Sequence, residues 1–137
     1  MSYDLMVFDA DAAPKGAPEF LAWYSNVTEW NEGHDYDDPA NTSPTLRAWY
    51  KDMIGSFPAM NGPDQTQDFD SVYVTGYTCS NHAIYVDFRW DVAEHAYNMV
   101  RQLAEKHRLG FFDASGEGDV FGPLTTGYGR WFQASAT

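Results

Sequence analysis

The chain has 137 residues, 44% hydrophobic and 17% aromatic, enough for a single domain with a real apolar core. Its 20 acids against 8 lysines and arginines give a net charge of −12, which a phosphate backbone would repel, so direct nucleic-acid binding is not expected. No run approaches the length that spans a bilayer, the start MSYDLMVFD lacks the basic flank and apolar stretch of a signal peptide, and Cys79 is the only cysteine. No membrane association and a reducing, cytoplasmic setting are therefore expected.

The charge is uneven along the chain. Residues 1–70 hold 13 acids and 3 bases, whereas residues 71–137 hold 7 acids and 5 bases. Such a surplus either keeps a protein soluble or steers it toward a basic partner.

Taken in order, Tyr3–Phe8 (YDLMVF) is an apolar run suited to a buried strand. After a breaker-rich loop, Pro18 in a first helical turn opens PEFLAWYSNVTEW, where Phe20, Trp23, Tyr24 and Val27 keep helical spacing. Asn31–Thr42 is polar, acidic and full of turn formers, hence a loop. Ser43 as N-cap and Pro44 at the first position start a second helix with Leu46, Trp49, Tyr50, Met53, Ile54 and Phe57 on its buried face. Pro58 ends it, and AMNGPDQTQDFD is a second acidic loop.

Ser71–Tyr77 and His82–Trp90 read as a hairpin around Thr78–Asn81, with Ile84, Val86 and Phe88 alternating against Tyr85, Asp87 and Arg89. The stretch Asp91–Gly110 carries one apolar stripe through Ala93, Ala96, Tyr97, Val100, Leu103, Ala104 and His107. Asp91 with Glu94 suits a capping box, Lys106 and Arg108 suit the last turn, and Gly110 suits a left-handed stop. Gly110–Ala114 is a further strand, and Val120, Phe121 and Tyr128–Phe132 add extended segments in a glycine- and aromatic-rich tail over 115–137. This order predicts a single α+β domain over 1–137, with a small, mainly antiparallel sheet and about three helices packed on one face.

The acidic–aromatic segment Glu29–Asp38 (EWNEGHDYDD) has five carboxylates, one histidine and two aromatics, and no base. Rigid aromatics give contact area and carboxylates select a cationic partner, so a binding loop is one reading and a solvated loop the other. The partner-facing residues expected are Glu29, Trp30, Glu32, Asp35, Tyr36, Asp37 and Asp38, with Asp64, Asp68 and Asp70 as a second acidic patch. Trp23, Trp49 and Trp90 fall on apolar faces and are expected in the core, Trp30 toward a partner, and Trp131 in either place.

Catalytic patterns are weak. Glu32, His34, Asp35 and Asp37, and the GEGD run Gly116–Asp119, match no defined metal spacing, and no HExxH, paired-cysteine or twelve-residue calcium pattern is present. His95 and His107 stand twelve residues apart on one helix and cannot share a ligand from it; His95 is expected exposed and His107 at the last turn. Cys79 and His82 lie together on a turn without a third orienting group, and GxSxG, P-loop and GxGxxG motifs are missing. No catalytic residue, metal or cofactor is expected. An alternative is a small-molecule-binding or enzymatic domain with a pocket between sheet and helices lined by Tyr77, Tyr85, Asp87 and Arg89. A third is a homodimer held by aromatic surface around Trp131.

The chain also resembles a group of small bacterial proteins that begin MSYDL-x-V-F. The likeness runs through FLAWY, TEW, HDYDDP, SPTLRAWYKDM, FPAMNGP and AEHAY–LAEKH–GFFDASG, covers most of residues 1–116, and fades in the tail, where GPLTTGYGRWFQ replaces a short aliphatic ending. Such proteins resemble the acidic immunity proteins found beside secreted bacterial toxins. The resemblance implies a non-catalytic protein of the cytoplasm that binds and blocks a basic toxin domain.

Overall fold

Every apolar residue of Tyr3–Phe8 has a surface to cover, because this strand, β1, runs through the middle of the sheet. In the computed structural model, which describes residues 2–123 and 128–134, six antiparallel strands stand in the order β2-β3-β1-β4-β5-β6. They are β1 with β2 (Gly76–Cys79), β3 (Ala83–Phe88), β4 (Gly110–Phe112), β5 (Asp119–Pro123) and β6 (Tyr128–Gln133). β3 pairs with β1 along its whole length, from Tyr3 opposite Phe88 to Phe8 opposite Ala83. The helices are α1 (Ala17–Val27), α2 (Pro44–Ile54) and α3 (Ala93–Lys106), so the domain is α+β.

The helices do not share one face. Leu5 and Val7 point into a core with Trp49 and Met53 of α2, Val100 of α3, Phe57 and Phe111. Met6 and Phe8 point the other way, into a second core with Phe20 and Val27 of α1, Phe112 and Val120. The reason is the period of two along a strand: Leu5–Phe8, apolar at four successive positions, offers an apolar layer on both sides, and each needs a cover.

Helix ends follow local chemistry in part. Ser43 Oγ accepts the Leu46 N–H at 3.3 Å, with Pro44 behind it, so α2 starts as its sequence dictates. Asp91 is not an N-cap: Trp90–Val92 form a 3-10 turn and α3 begins after it, at Ala93, with no side-chain cap. The left-handed residue after α3 is Arg108 (φ 57), not Gly110. Gly110 lies in β4, where a Cβ would overlap the Phe8 ring, so its missing side chain serves a close approach rather than a stop.

The hairpin is also displaced from its expected span. Thr78 and Cys79 belong to β2, while Ser71–Val74 form a turn in which Ser71 Oγ accepts the Tyr73 N–H at 3.2 Å. The tail contributes two strands, β5 and β6, that extend the sheet beyond β4. Among the described residues no helix is long and apolar enough to cross a membrane.

Candidate functional site

The acidic segment after α1 is folded back on the sheet by its own side chains. Trp30 takes a left-handed backbone (φ 54) and lays its ring edge-on to Tyr36 (5.4 Å) and Tyr85 (6.1 Å), against the α1-side core. Tyr36 accepts the Cys79 N–H on its backbone carbonyl at 2.7 Å and the Glu32 N–H on its hydroxyl. Both aromatics are half-buried and packed within the loop.

Glu32 is a clamp. Its Oε2 accepts from Ser80 Oγ at 2.7 Å, and its Oε1 accepts the Asn81 N–H at 3.0 Å and lies 2.9 Å from His34 Nε2. It therefore ties the loop to the turn between β2 and β3. Burial pushes its carboxyl up, but the bonds from Ser80, Asn81 and His34 outweigh this and hold it below the usual range. Burial pushes the His34 imidazole down, yet the bonds to Glu32 and to the Asp35 carbonyl raise it above its ordinary value.

The two shifts define a window. The Glu32 contribution is present above its unfolded value of 4.5 and is lost as pH falls through the lower folded value. The His34 contribution is present below 6.5 and is lost as pH rises through the higher folded value. We expect the urea-midpoint gap between wild type and the Glu32→Gln, His34→Gln double variant to be widest between about pH 4.5 and 6.5. A gap that stays flat across that range and on either side of it would refute the clamp.

The other carboxylates of the two acidic loops stay outside ion pairs. Asp35 Oδ1 accepts the Asp37 N–H at 2.8 Å, and Asp38 Oδ1 accepts the Ala40 N–H at 2.9 Å at the head of a 3-10 turn. Asp37 Oδ1 accepts from Asn61 Nδ2 at 2.8 Å, and Asn61 exchanges two bonds with the Tyr77 backbone (2.9 and 3.1 Å). Asp64 accepts the Tyr50 hydroxyl at 3.0 Å, and Asp68 accepts the Asp70 N–H at 3.3 Å. The two acidic loops are thus joined to each other and cover the outer edge of β2, which protects that edge from strand addition. The ion pairs of the described residues use Glu32, Asp9, Asp52 and Asp119; none uses Glu29, Asp35, Asp37, Asp38, Asp64, Asp68 or Asp70.

The alternative pocket is not assembled. Tyr77 is buried on the α2 side, its hydroxyl donating to the Phe57 carbonyl at 2.7 Å, while Tyr85 lies on the α1 side and donates to Asp4 Oδ2 at 2.5 Å. Asp87 and Arg89 line a cleft of about 430 Å³ with Met60, Phe69, Val74 and Phe88. A larger cleft of about 810 Å³ opens where β1 ends, with Asp9, Lys15, His82, His107, Arg108 and Trp131 on its walls.

Asp9, on the wall of that cleft, accepts from Ser43 Oγ on Oδ1 (3.0 Å), and its Oδ2 lies 3.0 Å from His82 Nδ1. The carboxylate stands between hydroxyl and imidazole, so His82 is not placed to take the Ser43 proton. Nor is Cys79 poised for attack. It is fully buried, and burial, with Asp38 and Asp37 adding, pushes its thiol up to about 12. His107 Nε2 meets Asp52 Oδ2 at 2.7 Å, a contact between α3 and α2, and His95 is exposed. No group of three histidine, cysteine or acidic side chains among the described residues is placed to hold a metal.

The large apolar side chains that are exposed among the described residues are Met60, Phe69, Tyr73 and Trp90, and Trp90, expected in the core, is 50% exposed. The only local signal is Asp68-Phe69-Asp70, an aromatic between two acids in a breaker-rich loop. Compared with protein-family models, curated proteins and solved structures, the chain matches none.

Proposed function

We propose that this is a non-catalytic, cytoplasmic binding protein, an immunity protein that neutralises a basic toxin domain by direct contact. The observation that supports it is a set of seven carboxylates outside ion pairs on two loops held in one shape by Asn61 and Asp37. A solvated tail would carry the same charge without that order. Fixed carboxylates facing solvent raise the local concentration of a cationic partner and speed its docking, an effect that fades as salt shortens the Debye length. Within the expected set the roles divide. Glu29, Asp35, Asp37, Asp64, Asp68 and Asp70 face the partner, whereas Trp30, Glu32 and Tyr36 hold the loop and Asp38 caps its 3-10 turn.

The test is a pull-down from native-host lysate at low and moderate salt, followed by association kinetics on whatever is retained. Wild type is compared with a variant carrying Asn at Asp35, Asp37, Asp68 and Asp70; asparagine keeps the oxygens that accept the loop's own N–H groups. The expected result is a basic protein held by wild type, with association slowed about ten- to a hundred-fold in the variant at low salt. Equal association by both proteins at both salts would refute the reading.

A small-ligand reading is favoured by one observation, the cleft beside Asp9 and His82, which collects Lys15, Arg108 and two of the four histidines of an acidic chain. A ligand retained there through purification would move that reading to first place.

A further inference from the structure

The acidic loops explain attraction but not retention, since exposed charges mainly govern the rate of encounter. Retention needs a buried anchor. We propose that the cleft between Met60 and Phe69 is that anchor site, and that it receives one large apolar side chain flanked by lysine or arginine in a segment of the basic partner; this rests on the binding reading above.

The cleft has a closed apolar floor, Val74 and Phe88, which are 5% and 2% exposed, and open apolar walls, Met60 and Phe69, which are 44% and 49% exposed. The residues next to its lining in the chain are aromatic. Tyr73 precedes Val74 and lies edge-on to Phe57 and His95; Trp90 follows Arg89 and rests on the Tyr3 ring at 5.0 Å. Two of the four large apolar side chains exposed among the described residues thus wall this cleft, and the other two adjoin its lining residues in the chain. Scattered apolar residues need no explanation, but a gathered patch with a concave centre marks an interaction surface.

Charge selects the occupant. Asp68 and Asp70 bracket Phe69 in the chain, Asp87 and Arg89 both line the cleft, and Asp91 and Glu94 share a second hollow with Tyr73 and His95, so these positions hold five carboxylates against one guanidinium. A second copy would bring the same acids against themselves, and an anionic lipid surface would be repelled in the same way. A cationic segment is attracted by the rim while its apolar side chain fills the floor. The acidic rim and the loops that carry Asp64, Asp68 and Asp70 are continuous in the chain, so steering and anchoring act on one partner.

The test uses the full chain and two short lysine–glycine peptides, one with a central phenylalanine and one with serine there, read by amide NMR shifts at low salt. The expected result is that the phenylalanine peptide moves the Met60, Phe69, Val74 and Phe88 signals and binds at least ten-fold tighter than its twin. Phe69→Ser, at an exposed position, abolishes that difference, leaving the sheet signals in place and the response at Asp35 and Asp37 intact. Equal binding by both peptides, with shifts at Asp35 and Asp37 and none at Val74 or Phe88, overturns the anchor and leaves the basic-partner reading standing. Failure of both peptides to bind overturns both. Shifts at the cleft that follow protein concentration alone would make a second copy the occupant and overturn the proposal.

Discussion

Replacing Trp49 with alanine is expected to lower stability by about 3–5 kcal/mol, and the melting temperature by roughly 10–15 °C. Trp49 is fully buried on α2, edge-on to Tyr77 at 6.4 Å, and its indole N–H faces the Val100 carbonyl of α3 at 3.4 Å. It therefore touches both helices of one layer and the strand beneath them. An alanine leaves a void bounded by α2, α3 and β2, elements that other contacts hold apart, so the gap cannot close fully. The hydrogen bond is long and contributes little; lost burial and the cavity dominate. Lys51→Ala, two residues on and exposed, is the control and should change stability by less than about 0.5 kcal/mol. Urea denaturation of both variants decides the matter, and a Trp49→Ala loss below about 1 kcal/mol would mean that this layer repacks freely.

Where the determinants lie close together in the chain, the sequence is readable. Ser43 and Pro44 begin α2, the alternation of Ile84, Val86 and Phe88 marks β3, and the stripe through Ala96, Val100 and Ala104 marks the buried side of α3. Each signal spans a turn or two. What is misread depends on distant partners. β1 shows that two apolar faces exist but not which helix covers which, and that is settled only by packing α1 against Phe8 and Phe112. Gly110 looks like a helix stop because the Phe8 ring that excludes its Cβ lies a hundred residues earlier. Trp90 continues the β3 pattern, yet the 3-10 turn beginning there swings it onto Tyr3 at the surface. The acidic segment is found correctly as a loop, whereas the clamp that Glu32 makes within it is not. Glu32 differs from Asp35 only through Ser80 and Asn81, 48 and 49 positions away, and no local pattern distinguishes one carboxylate from another.

Gly62→Ala should cost on the order of 2–4 kcal/mol despite adding one methyl group to a surface loop. Gly62 has φ 82, where an L side chain is strained, and a Cβ there would collide with the carbonyl oxygen of Asp37. That oxygen is backbone, so no rotamer change relieves the overlap; one acidic loop must move away from the other. The Asn61–Asp37 bond lies next to the collision and is the first contact to go, followed by the bonds from Asn61 to Tyr77 that cover the β2 edge. Two readouts separate strain from loss of alignment. Urea denaturation gives the stability cost. Association with the captured basic partner gives the functional one, because a carboxylate set that is no longer held in register steers less well at unchanged net charge. A slower on-rate at low salt with the net charge of −12 unchanged would show that the arrangement of the acids matters, and not their number alone. Wild-type association in a destabilised Gly62→Ala protein would reduce the acidic loops to a diffuse charge and leave partner selection to the apolar cleft.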